Sequence, residues 1–156
     1  MVNASGGISQ RIELFDAGKG KTLKVDRILR TKEEWKKSLT PEQYHVTVEK
    51  GTERPFTCTF DDTREPGVYQ CVRCRTDLFR TSTKFYSGTG WPSYFEPVSN
   101  LNVRLQEDRI LGMQRTEVLC SRCDAHLGHI FDDGPPPTGQ RYCINLAALR
   151  FVKESS

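Results

Sequence analysis

The run Cys120–Phe151, CSRCDAHLGHIFDDGPPPTGQRYCINLAALRF, holds three of the chain's six cysteines, two of its three histidines and a proline-rich turn. Nucleophiles, metal ligands and proton donors are drawn from these residue types, and a plain apolar core has little use for so many together. Inside the run, Arg141-Tyr142-Cys143-Ile144-Asn145 reads as a strand. Side chains two apart on a strand project to one face. Arg141, Cys143 and Asn145 are therefore expected to line one surface: a cation, a thiol and an amide. A neighbouring positive charge lowers a thiol's pKa and enriches the thiolate, which is the nucleophile. A lone cysteine in an apolar run is more often a buried structural residue, but these flanking residues reverse that ordering.

Working outward, the Cys120-Ser121-Arg122-Cys123 pair that opens the run has a partner of equal spacing at Cys71-Val72-Arg73-Cys74. Such spacing lets two thiolates from one tight turn reach one ion, and two such turns complete a closed tetrahedral site. One zinc held by Cys71, Cys74, Cys120 and Cys123 is expected, structural because a closed site leaves no open position. A rival set is Cys120, Cys123, His126 and His129, which would leave Cys71 and Cys74 as a redox dithiol. The four-thiolate reading is preferred because it leaves no stray pair and frees both histidines.

The totals set the frame. At 156 residues the chain is long enough for one domain with a real core. Its composition, 36% hydrophobic and 28% charged, is that of a soluble globular protein. No apolar run approaches a membrane span, and the first residues lack the apolar core of a secretory signal. A cytoplasmic protein without a membrane partner is the expectation. A net charge of +3, with basic residues scattered, implies no nucleic-acid partner. Without a signal, the paired cysteines favour metal or redox chemistry over a disulfide framework.

Residues 1–30 are expected to form an extension, mobile or lying along the surface, ahead of a domain over 31–156. Thr31 with Glu34 forms a capping box, and Thr40-Pro41-Glu42-Gln43 repeats the start signal. Trp35 and Leu39 share a helix face, and Trp35 and Tyr44 are expected to pack this helical arm on the domain. From Pro55 the pattern changes to short strands, at Val68–Cys71, Val98–Leu105, Ile110–Leu119 and Arg141–Val152. Turns fall at Glu65–Gly67, Gln106–Asp108 and Asp132–Gly139. Strands at this spacing without alternating helices argue for an antiparallel β domain.

Several motifs together closely resemble the B-type methionine-sulfoxide reductases. They are His126-Leu127-Gly128-His129, Phe131–Pro135, Pro137-Thr138-Gly139, Arg141–Asn145 and Ala148–Phe151. Ser87-Gly88-Thr89-Gly90-Trp91-Pro92-Ser93 and Thr52–Thr57 match two more signatures, and the paired Cys-x-x-Cys is the family's usual zinc site. The likeness runs from about Thr31 to Val152. It implies a mainly β fold of two antiparallel sheets with a short N-terminal helical arm. The implied activity is reduction of the R epimer of methionine sulfoxide, free or in proteins, with thioredoxin as reductant and the enzyme a monomer.

Carried over by position, Cys143 is the implied nucleophile, and His126 and His129 help protonate the sulfoxide oxygen. Trp91 walls the substrate's methyl group, with Phe131 beside the substrate, and Arg141 and Asn145 orient the reacting groups. The chain departs from the pattern at Thr89, where many members carry a second redox cysteine, and at Tyr86 and Leu146. With four thiols assigned to metal, Cys58 is the remaining candidate to resolve oxidised Cys143 through a Cys58–Cys143 disulfide. The competing class is a zinc-stabilised module that binds protein or nucleic acid without chemistry. Such a module has no need of Cys58 or Cys143.

Overall fold

The structure, a computed structural model, describes residues 11–51, 65–85, 87–88, 92–110 and 113–154, without the side chains of 108–110 and 113–114. The readings made for Cys58, Tyr86, Thr89 and Trp91 lie outside the described residues.

The stretch read as a mobile or surface-lying extension contains a hairpin. Strands β1 (Arg11–Asp16) and β2 (Lys21–Asp26) pair antiparallel, from Arg11 opposite Asp26 to Asp16 opposite Lys21. Both strands alternate apolar and polar residues but carry few large apolar ones, because the hairpin lies on the surface and Leu14 is its buried residue. Its docking is polar. Asn102, fully buried, accepts from the Phe15 N–H (2.8 Å) and donates to the carbonyls of Phe15 (3.0 Å) and Asp77 (2.7 Å). Asp77 in turn accepts from the Ala17 N–H at 2.9 Å. Asn102→Ala leaves these groups unpaired, and the expected loss is about 2–3 kcal/mol, since each buried orphan costs about 1–3 kcal/mol. Amide exchange should quicken in β1 and β2 ahead of the rest of the protein. Unchanged protection there would show that other contacts hold the hairpin.

Both capping boxes form. Thr31 and Glu34 exchange hydrogen bonds of 2.8 and 3.2 Å at the start of α1 (Lys32–Ser38). Thr40 and Gln43 exchange bonds of 2.9 and 3.1 Å at the start of α2 (Pro41–Thr47), with Pro41 in the first turn. Each satisfies amides a helix start leaves orphaned. Trp35 is buried between the guanidinium groups of Arg30 (4.9 Å) and Arg73 (4.1 Å), and Leu39 and Tyr44 pack against the core beside it. The helical arm is thus fastened to the domain as its apolar face requires.

The remaining strands are β3 (Gly67–Cys71), β4 (Asp77–Arg80), β5 (Lys84–Phe85), β6 (Ser93–Tyr94), β7 (Val103–Ile110), β8 (Met113–Cys120), β9 (His126–Phe131), β10 (Arg141–Ile144) and β11 (Leu149–Lys153). They form a six-stranded sheet, β5-β6-β10-β9-β8-β7, and a three-stranded sheet, β11-β3-β4, with every pairing antiparallel. Beside the hairpin, the two expected sheets are present. Aromatic contacts join them: Phe79 of β4 stacks on Tyr94 of β6 at 4.5 Å and meets Tyr142 of β10 at 5.6 Å. Tyr69 of β3 meets Tyr94 edge-on at 5.6 Å. Such pairs add about 0.5–1.5 kcal/mol each beyond their buried area.

Three strand readings differ from the structure. Gln106–Asp108, read as a turn, lies inside β7, a strand at the sheet edge where Gln106 and Glu107 are exposed. The strand expected from Val98 begins at Val103. The strand read as Arg141–Val152 is two, β10 and β11, divided by a 3-10 turn at Leu146–Ala148 and placed in different sheets. A change of sheet partner is invisible in a continuous apolar pattern.

Candidate active site

On β10, Tyr142 and Ile144 turn into the core while Arg141 and Cys143 lie on the opposite face. Cys143 is in the thiol form and only partly buried. Its lateral neighbours follow from register. Ser93 of β6, Cys143 of β10, His129 of β9 and Glu117 of β8 stand opposite one another in one row across the sheet. Residues in such a row share a face, with neighbouring Cβ atoms about 4.5–5.5 Å apart. A thiol, an imidazole and a carboxylate are thereby brought together from distant parts of the chain.

His126 joins the row through an irregularity. Three residues apart on a regular strand, His126 and His129 would face opposite ways. The pairing of β8 with β9 shifts by one residue at Val118/Leu119, so that Gly128 faces Val118 but His126 faces Leu119. This bulge turns both imidazoles to one side, and their ring centroids lie 5.4 Å apart at 68°. Gly128 sits at the same place for a steric reason. A Cβ there would collide with the Cys143 carbonyl oxygen, so only glycine lets β10 approach β9 this closely.

Behind the histidines lies a residue that the sequence reading missed. Glu117 is 1% exposed, and its Oε2 is 2.6 Å from His126 Nδ1. Lys50 Nζ approaches its other oxygen at 3.4 Å. Burial depresses the His126 pKa, with the hydrogen bond and charge of Glu117 opposing that shift. Little in the sequence marks it: Glu117 follows the polar run Gln114-Arg115-Thr116 and only precedes the apolar pair Val118-Leu119.

Arg141 lies on the Cys143 face but is engaged with other groups. Its Nε and Nη2 donate to Asp133 at 2.9 and 3.3 Å, and its guanidinium lies 4.4 Å from the Phe131 ring centroid. The hydrogen bonds from Arg141, and then its charge, hold the Asp133 carboxyl below its usual range. Part of the positive field expected at Cys143 is therefore directed to Asp133, and Phe131 is positioned by the arginine. Asn145 stands just past β10, where its Nδ2 (3.1 Å) and backbone N–H (2.9 Å) both donate to the Leu127 carbonyl. Leu127 is the extra residue of the bulge, so Asn145 steadies the turn that aims the histidines.

The four cysteines of the paired motifs converge. Their sulfurs all lie within 4.8 Å of one another, with Cys71 to Cys123 at 3.6 Å and Cys74 to Cys120 at 3.5 Å. A tetrahedral zinc with Zn–S of about 2.3 Å requires sulfurs about 3.8 Å apart, so the cluster fits such an ion. The two turns are built alike. The residue after each pair, Arg75 or Asp124, has positive φ (64° and 61°) and donates its N–H to the first cysteine's carbonyl at 2.8 or 2.9 Å. Burial, and then its thiol neighbours, push the Cys71 thiol far up. Arg73 braces the cluster by donating to the carbonyls of Cys123 (2.8 Å) and Thr47 (3.2 Å). The rival set with His126 and His129 does not assemble: among the described residues the four cysteines are the group gathered for a metal.

Comparison with known proteins defines the class. Residues 39–153 match the SelR domain. The chain is 55% identical over 129 residues to "Peptide methionine sulfoxide reductase MsrB" of Methanosarcina mazei, covering 83% of this chain and 92% of that one. The protein of the same name from Pseudomonas syringae is 53% identical over 84% of this chain and all of its own length. "Peptide methionine sulfoxide reductase B1, chloroplastic" of rice is 60% identical over 79% of this chain, which spans 58% of the rice protein. The chain belongs to the SelR-domain family, the B-type methionine-sulfoxide reductases, and is an oxidoreductase.

Proposed function

We propose that this chain reduces the R epimer of methionine sulfoxide, free or within oxidised proteins, by thiol chemistry at Cys143. The observation that carries the reading is the partly exposed Cys143 thiol in register with His129, with His126 beside it. The Cys143 sulfur attacks the sulfoxide sulfur, and methionine leaves as the oxygen passes to Cys143 as a sulfenic acid. Atoms and electrons balance: the cysteine sulfur loses two electrons and the sulfoxide gains two. A sulfoxide oxygen leaves poorly until protonated, and the two imidazoles supply that proton. Trp91 gives the substrate's methyl group an apolar wall, Phe131 lies beside the substrate, and Arg141 and Asn145 keep the surrounding backbone in place.

Recycling belongs to the same proposal. The sulfenic acid condenses with Cys58, the one thiol left over once the four clustered cysteines hold metal. Thioredoxin then reduces the Cys58–Cys143 disulfide by exchange. The metal is one zinc, which in a closed four-thiolate site is structural. The enzyme acts as a monomer in the cytoplasm, without nucleic-acid or membrane partners. Among the described residues no helix is long and apolar enough to cross a membrane.

The Cys58→Ser variant tests the recycling step. It should release about one equivalent of methionine in a single turnover, as wild type does, and lose at least about tenfold in thioredoxin-driven turnover. Peptide mapping of wild type after one round should find Cys58 linked to Cys143. Full cycling of Cys58→Ser with thioredoxin would mean that thioredoxin attacks the sulfenic acid directly. The binding-module reading lacks support from any observation of comparable weight, since it leaves the Cys143 row without a purpose.

A further inference from the structure

Glu117 is the buried charge that the reaction, as so far described, does not use. It is 1% exposed and occupies the same sheet row as His129 and Cys143. One of its oxygens lies 2.6 Å from His126 Nδ1 and the other 3.4 Å from Lys50 Nζ. A carboxylate accepts hydrogen bonds, so at 2.6 Å the proton of a neutral His126 resides on Nδ1. The other ring nitrogen, Nε2, is buried and has no hydrogen-bond partner among the described residues. A buried polar atom without a partner is rare and calls for one that arrives later, such as a proton, a water or a substrate.

We propose that Glu117 is a positioning residue for the sulfoxide-reducing site: it fixes His126 in its Nδ1–H tautomer, so that Nε2 is the atom which takes up and returns the proton during thiol attack. The inference rests on the reductase reading and goes beyond it by naming the group that sets the imidazole's proton state. In a neutral histidine one nitrogen donates and the other accepts, and the partner of the first decides the role of the second. Glu117 also provides a counter-charge in the low-dielectric interior, where an isolated imidazolium is costly. The Cys143 thiol proton passes to the imidazole pair, rests on His126 Nε2 beside His129, and goes to the sulfoxide oxygen as that oxygen transfers to sulfur. No proton is gained or lost, and the thiol plus sulfoxide become sulfenic acid plus thioether.

The charged and titratable groups facing His126 are Glu117 from β8, His129 from β9 and Lys50 after α2. Glu117 favours the imidazolium, while His129 and Lys50 oppose it. Removing the carboxylate charge therefore lowers the pH at which His126 is protonated. If protonated His126 limits the rate, the descending limb of the pH–rate profile moves to lower pH.

Two measurements test this. The chain has three histidines, so nitrogen NMR of protein carrying 15N-labelled imidazoles resolves them individually. In wild type above the titration range, His126 should show a protonated Nδ1 and a bare Nε2. The opposite tautomer overturns the proposal without reference to catalysis. The second measurement is the pH profile of single-turnover reduction for Glu117→Gln, whose amide carries no charge and can present either its oxygen or its N–H to Nδ1, so that the Nδ1–H tautomer is no longer enforced. The expected result is a loss of at least about tenfold in rate near neutral pH, with the descending limb at lower pH and Cys143 alkylation retained. An unchanged profile and rate overturn the proposal while leaving the reductase reading intact. Inactive wild type overturns that reading instead, and the tautomer measurement then still decides the role of Glu117.

Discussion

Cys143→Ser should abolish single-turnover release of methionine, slowing it by at least about a thousandfold, while leaving the protein folded. A hydroxyl near neutral pH is a far weaker nucleophile than a thiol whose proton can be removed. The side chain is only partly buried, and its backbone hydrogen bonds to the neighbouring strands do not depend on sulfur. The stability change should therefore stay within about 0.5 kcal/mol, as for a surface substitution. Thermal melting and metal content measured beside the rate separate loss of chemistry from loss of structure. Substantial methionine release by a folded serine variant would remove Cys143 from the central role.

The second large effect is expected at the cysteine cluster. Replacing Cys71 or Cys120, both fully buried, should expel the metal and cost more than about 3 kcal/mol, because structural zinc binding is folding free energy. The effect should reach far from the site. Cys71 ends β3 and Cys120 ends β8, so an ion held by the cluster would join the three-stranded sheet to the six-stranded one. Metal analysis and melting of Cys120→Ser test this directly. The His126→Ala, His129→Ala double variant should keep its metal. Loss of metal from that variant while it remains folded would restore the contiguous two-cysteine, two-histidine set.

What could be read from the sequence follows how local each signal is. The capping boxes at Thr31 and Thr40 are written within four residues, and both form. The Cys-x-x-Cys spacing likewise encodes a tight turn, so the meeting of the two pairs required only that they share one ion. The strand around Cys143 was legible because apolar and polar residues alternate there. The His126–His129 alignment was not, since it depends on a bulge set by the pairing of β9 with β8. Glu117 stayed hidden for a related reason: its partner lies nine residues away across a strand pair, and nothing in its own neighbourhood announces burial. The hairpin at residues 11–26 escaped notice because its docking relies on Asn102 and Asp77 rather than on a large apolar face. Gly128 could be read as part of a motif, but its steric reason appears only once β10 lies against it.

The most direct test of the account uses wild-type protein without any reductant. The protein is mixed separately with the R and the S epimer of methionine sulfoxide in a blocked peptide, and the methionine formed is counted per chain. Because Cys143 supplies both electrons once and cannot be regenerated, the expected yield is about one equivalent from the R epimer. The S epimer should yield none, and free Cys143 thiol should disappear in step with the R product. Equal yields from both epimers, or none from either by a folded and metal-replete protein, would contradict the account.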